Sequence, residues 1–507
     1  MPDTFTRRRS YTVAPSIMRR SMLVTFLLST SGTILAQTFL QVGQDIDGEA
    51  PYDGSGVSVA LSADGLRVAV GAPSNSGNGM AAGHVRVFDD LGGTWVQVGA
   101  DLDGVAAGDA FGYVVLSGDG TRLAVGAPRN NDNGSDAGHV RVFDENGGTW
   151  TQVGVTIVGE GATEWCGQAI ALSEDGTRLA VGAQLNDDGA YQGGHIRVFD
   201  EVAGAWVQVG PDILGQTPNG ELGKALALSA DGQRLATYAD GNVRVLSFNG
   251  LAWVQVGPDL IGEAPGDGFG WSIALSADGT RLAVGAPFND GNGADAGHAR
   301  VYHESGGQWT QVGADLDGPA FDHWAGFKVA LTADGGRLMV SEPYEPGSTN
   351  QPGQVRVFEE VAGNWVQLGP AIVGEAPADY AGSGLACSTS GHRIAVGAHW
   401  NDDGGDNSGH VRVFQLDLEN LVDQPSLADA VRVLQGPDGA RVHVVHDRPT
   451  LLRMFDARGA CVLEQNLPSG GGVVHLGARS SGLHVVELRT VDPAGSVHRA
   501  RILHLHP

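Results

Sequence analysis

The chain has 507 residues, a formal net charge of −27 and 78 glycines, with only 18% charged residues and 42% apolar ones. That apolar content excludes global disorder, and the length exceeds one ordinary core unless the core is a closed ring of repeats. The acidity, with Lys224 and Lys328 as the only lysines, argues against nucleic acid and anionic membranes, because phosphate binding needs Lys and Arg.

Residues 1–36 read as a secretory signal peptide. Arg7, Arg8, Arg9, Arg19 and Arg20 precede the apolar run Met22–Leu28, and small residues lead to Ala36. The apolar core is too short to span a bilayer, and no other stretch suggests a transmembrane helix.

A repeat then dominates. Trp95, Trp150, Trp206, Trp253, Trp309 and Trp365 each open the same sentence, spaced by 55 or 56 residues apart from one interval of 47. Such a period points to a propeller or another repeat array. In the copy from Trp253, strands are expected at 253–257, 270–276, 281–286 and 298–302. Ser276-Ala-Asp-Gly279 is expected as a tight hairpin using the positive φ of Asp-Gly. Four short strands per copy make a propeller blade the natural unit.

Seven sets of the inner three strands can be counted, yet no seventh Trp strand follows Phe414. Phe39-Leu-Gln-Val-Gly43 matches Trp95-Val-Gln-Val-Gly99 and supplies the missing piece. The expected fold is therefore an all-β, seven-bladed β-propeller of four-stranded blades over 37–417, closed by its N-terminal strand. The fourth copy keeps only Ala239-Asp-Gly241 where the others carry a long loop. A linker is expected at 418–430. A C-terminal β-sandwich of another pattern follows at 431–507, with strands at 440–446, 451–455, 461–466, 472–476, 482–489 and 497–505.

Phe269-Gly270, Arg281-Leu-Ala-Val-Gly-Ala-Pro287 and Gly297-His-Ala-Arg-Val-Tyr302 resemble the FG-GAP repeat of integrin-α-type propellers, as do Phe111-Gly112 and Gly126-Ala-Pro128. The resemblance implies seven blades that bind partners on one face, often with calcium. Where that family carries its calcium loop, this chain has the short Ser-Ala-Asp-Gly hairpin. Leu452-Arg-Met-Phe-Asp-Ala-Arg-Gly459 and Gly482-Leu-His-Val-Val-Glu-Leu488 resemble the C-terminal sorting domain of type IX secretion cargo. That likeness implies export through an outer membrane by a dedicated secretion machinery, followed by release or anchoring at the cell surface.

Two sets of residues are candidate sites. Asp45, Asp47 and Asp53, with Asp101, Asp103 and Asp109, and with Asp315 and Asp317, could present carboxylates to Ca²⁺. Other copies lose the second Asp without disturbing the period, so a turn that favours Asp accounts for the set more simply. The loops holding Asn130, Asp132 and Asp136, then Asn186 and Asp187, then Asn289, Asp290 and Asp295, then Asn401, Asp402 and Asp406 could bind a glycan or a protein ligand. His84, His139, His195, His298 and His410 recur once per copy and are expected to pair a backbone group. Trp271, Trp324 and Trp400 stand at non-repeated positions and read either as sugar or peptide contacts or as buried packing residues. Cys166 and Cys387 fall at core positions and read as buried thiols.

No catalytic motif is visible, so a binding or adhesion protein, monomeric and outside the cell, is the expectation. A polysaccharide hydrolase or lyase built on a propeller is the alternative.

Overall fold

A computed structural model describes residues 38–344 and 351–416, and the backbone of seven strands between 431 and 505. Residues 1–37, which hold the expected signal segment, and the linker at 418–430 lie outside the described residues. All regular structure in the described residues is β. None of it is a helix able to cross a membrane.

Seven antiparallel sheets follow one another along the chain, one per repeat. Blade 5 shows the pattern, with an inner strand Ser272–Leu275, a second strand Arg281–Ala286, a third strand His298–Ser305 and an outer strand Gln308–Gln311. The outer strand breaks at a turn and resumes as Leu316–Asp317, which pairs with the start of the third strand. The sequence reading missed this second piece, which is only two residues long. In blade 7, Phe39, Leu40 and Gln41 pair with Leu416, Gln415 and Phe414, and Ile46–Asp47 pairs with Val411 and His410. The N-terminal strand thus completes the last blade, as expected.

The second strand is apolar on both faces because it is packed between neighbouring sheets. Leu282, Ala283, Val284 and Ala286 are fully buried. The core is therefore a series of layers between blades; one such layer joins Val243, Val245 and Leu260 of blade 4 to Phe269, Ile273 and Leu282 of blade 5.

The glycines of the FG and GA dipeptides have one physical explanation. A Cβ on Gly126 would lie 1.8 Å from the carbonyl oxygen of Gly167 in the next blade, and one on Gly285 would lie 1.9 Å from that of Gly326. The two glycines meet across the seams, where backbone approaches backbone and no side chain fits; only blades 4 and 6 place Tyr238 and Ser341 there instead.

At the hairpin end of the channel the blades are laced by backbone. Ala63 N–H donates to Gly118 O, Gly118 to Glu174, Glu174 to Ala230, Ala230 to Ala277, Ala277 to Ala333, Ala333 to Thr389, and Thr389 back to Ala63, at 2.7–3.0 Å. Each hairpin is also tied internally. Asp119 Oδ1 accepts from Ser117 Oγ and the Thr121 N–H at 2.7 and 2.9 Å, and Gly120 alone takes the positive φ, of 73°. The hairpin expected at Ser276-Ala-Asp-Gly279 is present, with Gly279 supplying the positive φ, of 67°. In the separate turn between the second and third strands of blade 4, Asp240 and Gly241 both take it, at 55° and 76°.

Outer strands are fastened across seams too. The indole N–H of Trp95 donates to Val42 O, Trp150 to Val98 O, Trp309 to Val256 O and Trp365 to Val312 O, at 2.8–3.1 Å. Arg67 pairs with Asp89 in its own blade and donates to Gly120 O of the next, and Arg393 closes the circle on Gly65 O and Asp90.

In the C-terminal part, the described strands form a three-stranded sheet and a four-stranded sheet, both antiparallel. Val431–Gly436 was not expected; the other six fall where the alternation placed them, within one or two residues. The side chains that would pack the two sheets into a sandwich lie outside the described residues.

Candidate functional site

The inner strand of blade 5 starts just after Trp271 and ends at Leu275, so those two residues mark opposite ends of the channel. The Leu275 end is regular. Leu61, Leu116, Leu172, Leu228, Leu275, Leu331 and Cys387 surround a cavity of about 290 Å³, one residue from each blade. The other end is irregular, and there the aromatic residues collect.

Trp271 packs edge-to-face on Phe288 at 5.2 Å and tilted on Phe327 at 5.9 Å. Phe288 meets Trp324 at 5.3 Å, and Trp324 stacks on Phe327 at 6.2 Å. Tyr380 touches both Trp324 and Phe327, then Trp400 at 5.0 Å and His399 at 5.1 Å. One ring network thus runs from blade 5 to blade 7. Trp271, Phe288, Trp324, Phe327 and Trp400 keep part of their surface in solvent. These contacts join the three non-repeated tryptophans singled out in the sequence.

The backbone under this network repeats a left-handed position found in every blade, from Gly54 in blade 1 to Tyr380 in blade 7. Trp324 and Tyr380 have φ of 54° and 62°, at the position where blades 1 and 5 place Gly54 and Gly268. A left-handed residue with a Cβ costs roughly 1–2 kcal/mol. The loop before it holds it there, since Trp324 N–H donates to Asp295 O at 3.1 Å. Burial holds the His399 imidazole pKa down at about 4 and pushes the Tyr380 hydroxyl pKa up.

At one edge of the network lies a cleft of about 270 Å³ between blades 4 and 5, lined by Lys224, Tyr238, Gly241, Pro265, Trp271 and Phe288 among others. Two features of blade 4 open it. Its second and third strands are joined by a two-residue turn, Ala239 pairing with Asn242. Tyr238 also stands where blade 5 has Gly285. Lys224 Nζ lies 5.3 Å from the Tyr238 ring and 5.1 Å from the Trp271 ring, and pairs with Glu221 at 2.7 Å. The second lysine, Lys328, has Nζ 5.9 Å from the Phe327 ring, and burial lowers its pKa. Both lysines of the chain therefore stand against this aromatic face.

The loop residues named from sequence divide in two. Asn130, Asn186, Asn289 and Asn401 are buried. Each Oδ1 accepts the N–H two residues on, from Asp132, Asp188, Gly291 and Asp403. Asn186 and Asn289 donate to the buried Glu164 and Asp267 at 2.9 and 2.8 Å. These amides hold their own loops together. Asp132, Asp187, Asp290, Asp402 and Asp406 are exposed, and Asp136 and Asp295 are half-buried, so the loops present carboxylate.

The calcium candidates divide three ways. Asp53 and Asp109 are buried turn caps, each taking two backbone N–H groups at 2.9–3.2 Å. Asp47, Asp103 and Asp317 are exposed. Asp45, Asp101 and Asp315 instead face histidines. Among the described residues, no group of potential ligand atoms within 4.8 Å joins two aspartates of one triplet.

The histidines depart from expectation. Both ring nitrogens of His139, His195, His298 and His410 are buried without a hydrogen-bond partner, so no backbone group is paired. Nδ1 turns to carboxylates instead, at 3.5 Å from Asp132 for His139, and 3.8 Å from Glu49 for His84 and from Glu160 for His195. The signal was in the sequence: a His opening the third strand lies opposite the Asp-containing outer strand, as His298 lies opposite Asp317. Burial, and then the arginine two residues on, lower all five imidazole pKa values. Cys166 and Cys387 are free thiols at core positions, and burial pushes their pKa values to about 11 and about 12.

Residues 262–302 match the family model of the FG-GAP repeat, the stretch from the broken outer strand of blade 4 through the third strand of blade 5. No curated protein matches the chain. Among solved structures, a putative 6-phosphogluconolactonase from Bacteroides uniformis is 14% identical with a TM-score of 0.46, over 64% of this chain and 86% of that one. Hydrazine synthase from Kuenenia stuttgartiensis is 14% identical with a TM-score of 0.42, over 70% and 94%. A protein of unknown function from Desulfotomaculum acetoxidans is 14% identical with a TM-score of 0.42, over 66% and 90%. Likenesses this distant carry no argument about activity, and the chain stands as a seven-bladed propeller with an FG-GAP repeat.

Proposed function

We propose that this is an exported binding or adhesion protein whose ligand lies across the aromatic face of blades 5–7, with a carbohydrate as the ligand class. The observation that supports this most is the network from Trp271 to Trp400, in which rings from three successive blades touch one another. Aromatic faces suit the C–H faces of sugars. Lys224 at the edge of the cleft favours a sugar bearing a carboxylate or sulfate. The exposed loop carboxylates around the face add repeated weak contacts by accepting from sugar hydroxyls. Export through the signal segment, and display by way of the C-terminal strands acting as a sorting domain, belong to the same proposal.

A glycan array with the purified chain and with Trp324→Ala tests it. Retention of acidic glycans by the parent, lost in the variant without product release, supports binding. Turnover of a retained polysaccharide would move the assignment to a hydrolase or lyase. For the address, removal of residues 431–507 should abolish surface display in the native host; unchanged display sinks the sorting role.

A further inference from the structure

Four blade seams carry the same constellation: a buried His at the start of a third strand, an Asp from the turn between the two pieces of the outer strand beside it, and a Glu from the loop entering that blade. The groups are Glu49–His84–Asp101, Glu160–His195–Asp212, Glu263–His298–Asp315 and, with a fourth member, Asp45–Glu375–Asp403–His410. Two of these seams differ in how their negative charge is met. Beside His298, Arg300 forks onto Asp315 at 2.8 and 2.6 Å and also reaches Glu263, so a guanidinium already occupies the space between the carboxylates. Beside His410, Arg412 reaches only Glu375, at 3.4 Å, and turns its other nitrogen to Val373 O. Three carboxylates there share one distant cation.

We propose that Asp45, Glu375, Asp403 and His410 bind one divalent transition-metal ion of the Mn²⁺ or Zn²⁺ class, which clamps the N-terminal strand into blade 7. The four potential ligand atoms lie within 4.8 Å of one another. His410 is fully buried with neither ring nitrogen hydrogen-bonded, and its Nδ1 is 3.8 Å from both Asp45 and Glu375. An unpaired buried imidazole aimed at carboxylates is costly unless something bridges them. A neutral imidazole with carboxylate oxygens suits first-row ions better than Ca²⁺, which takes oxygen alone. Arg300 thus relieves the crowding at one seam by its contacts to both carboxylates, whereas Arg412 touches only one of three at the other.

The clamp follows from where the ligands originate. Asp45 lies between the two pieces of the strand that closes the ring, His410 opens the third strand that receives it, and Glu375 comes from the chain leaving blade 6. An ion here fastens three separate segments.

The test is titration of the chelator-treated full chain with Mn²⁺ and Zn²⁺ by calorimetry, alongside thermal unfolding and amide exchange. One equivalent should bind, raise the melting temperature and slow exchange across residues 39–47. Asp403→Asn, an exposed loop change that should leave the fold intact, and His410→Gln should each weaken binding by about tenfold or more. His298→Gln in the Arg300-filled seam should not. Absence of binding, binding undiminished in both closure-seam variants, or binding without slower exchange at 39–47 would each overturn the proposal.

Discussion

The two ends of the channel obey different rules. At the hairpin end, seven copies of the same turn place seven equivalent residues around one cavity, joined by equivalent hydrogen bonds. At the loop end, the position that is Gly54 in blade 1 is Glu221 in blade 4, Gly268 in blade 5, Trp324 in blade 6 and Tyr380 in blade 7. The position that is Lys224 in blade 4 is Trp271 in blade 5 and Phe327 in blade 6. Repetition marks what the ring needs in order to close. Departure from repetition, where one left-handed backbone position carries glycine in some blades and a bulky ring in others, marks what the ring carries.

Several changes would break or sharpen that contrast. Removing residues 38–47 should have the largest effect, because it strips the outer strand from blade 7 and exposes a sheet edge. Loss of cooperative thermal unfolding and aggregation are expected; a melting curve like that of the parent would show that the ring does not depend on closure. Next comes Gly126→Ala, where the new methyl meets Gly167 O of the adjacent blade. Overpacking of this kind costs about 1–3 kcal/mol by denaturant unfolding, and ligand retention should survive in the folded fraction. Trp324→Ala should do the reverse, reducing ligand retention severalfold or more while stability falls less than a buried Trp deletion would require, since the ring is partly solvated.

A smaller effect concerns acid. The His399 pKa is lowered in the folded state, to about 4, so the unfolded chain takes up the proton first. Its contribution to stability is complete above the unfolded value of about 6.5 and is lost as pH falls toward 4. The buried seam histidines share that direction. His399→Phe should flatten the part of the pH profile that arises at the aromatic end; an unaltered slope would assign the acid response to the seams.

Much of the fold was legible in the sequence because it is stated seven times. Blade count, closure by Phe39–Gln41 and the lost loop of blade 4 all followed from aligning the chain with itself. The site was legible only in part. Trp271, Trp324 and Trp400 stood out as exceptions to the period, but their connection through Phe288, Phe327 and Tyr380 crosses three blades and no local pattern encodes it. The loop asparagines misled because composition cannot tell an amide turned to solvent from one folded back on its own turn; Asn289 folds back, onto Asp267. The histidines misled for a related reason. Their carboxylate neighbours are contributed across a seam, from positions such as Glu160 and Glu263 that are not themselves invariant in the repeat.

The lacing at the hairpin end has a geometric consequence. Its donors all point the same way around, from Ala63 through Thr389 and back to Ala63, and so form a hoop without an end. Seven seam angles in a closed hoop must sum to one full turn. A wedge driven into the cleft beside Trp271 cannot open that seam alone; the other six must each yield a little. Occupancy at one seam is therefore a load borne by the whole circumference.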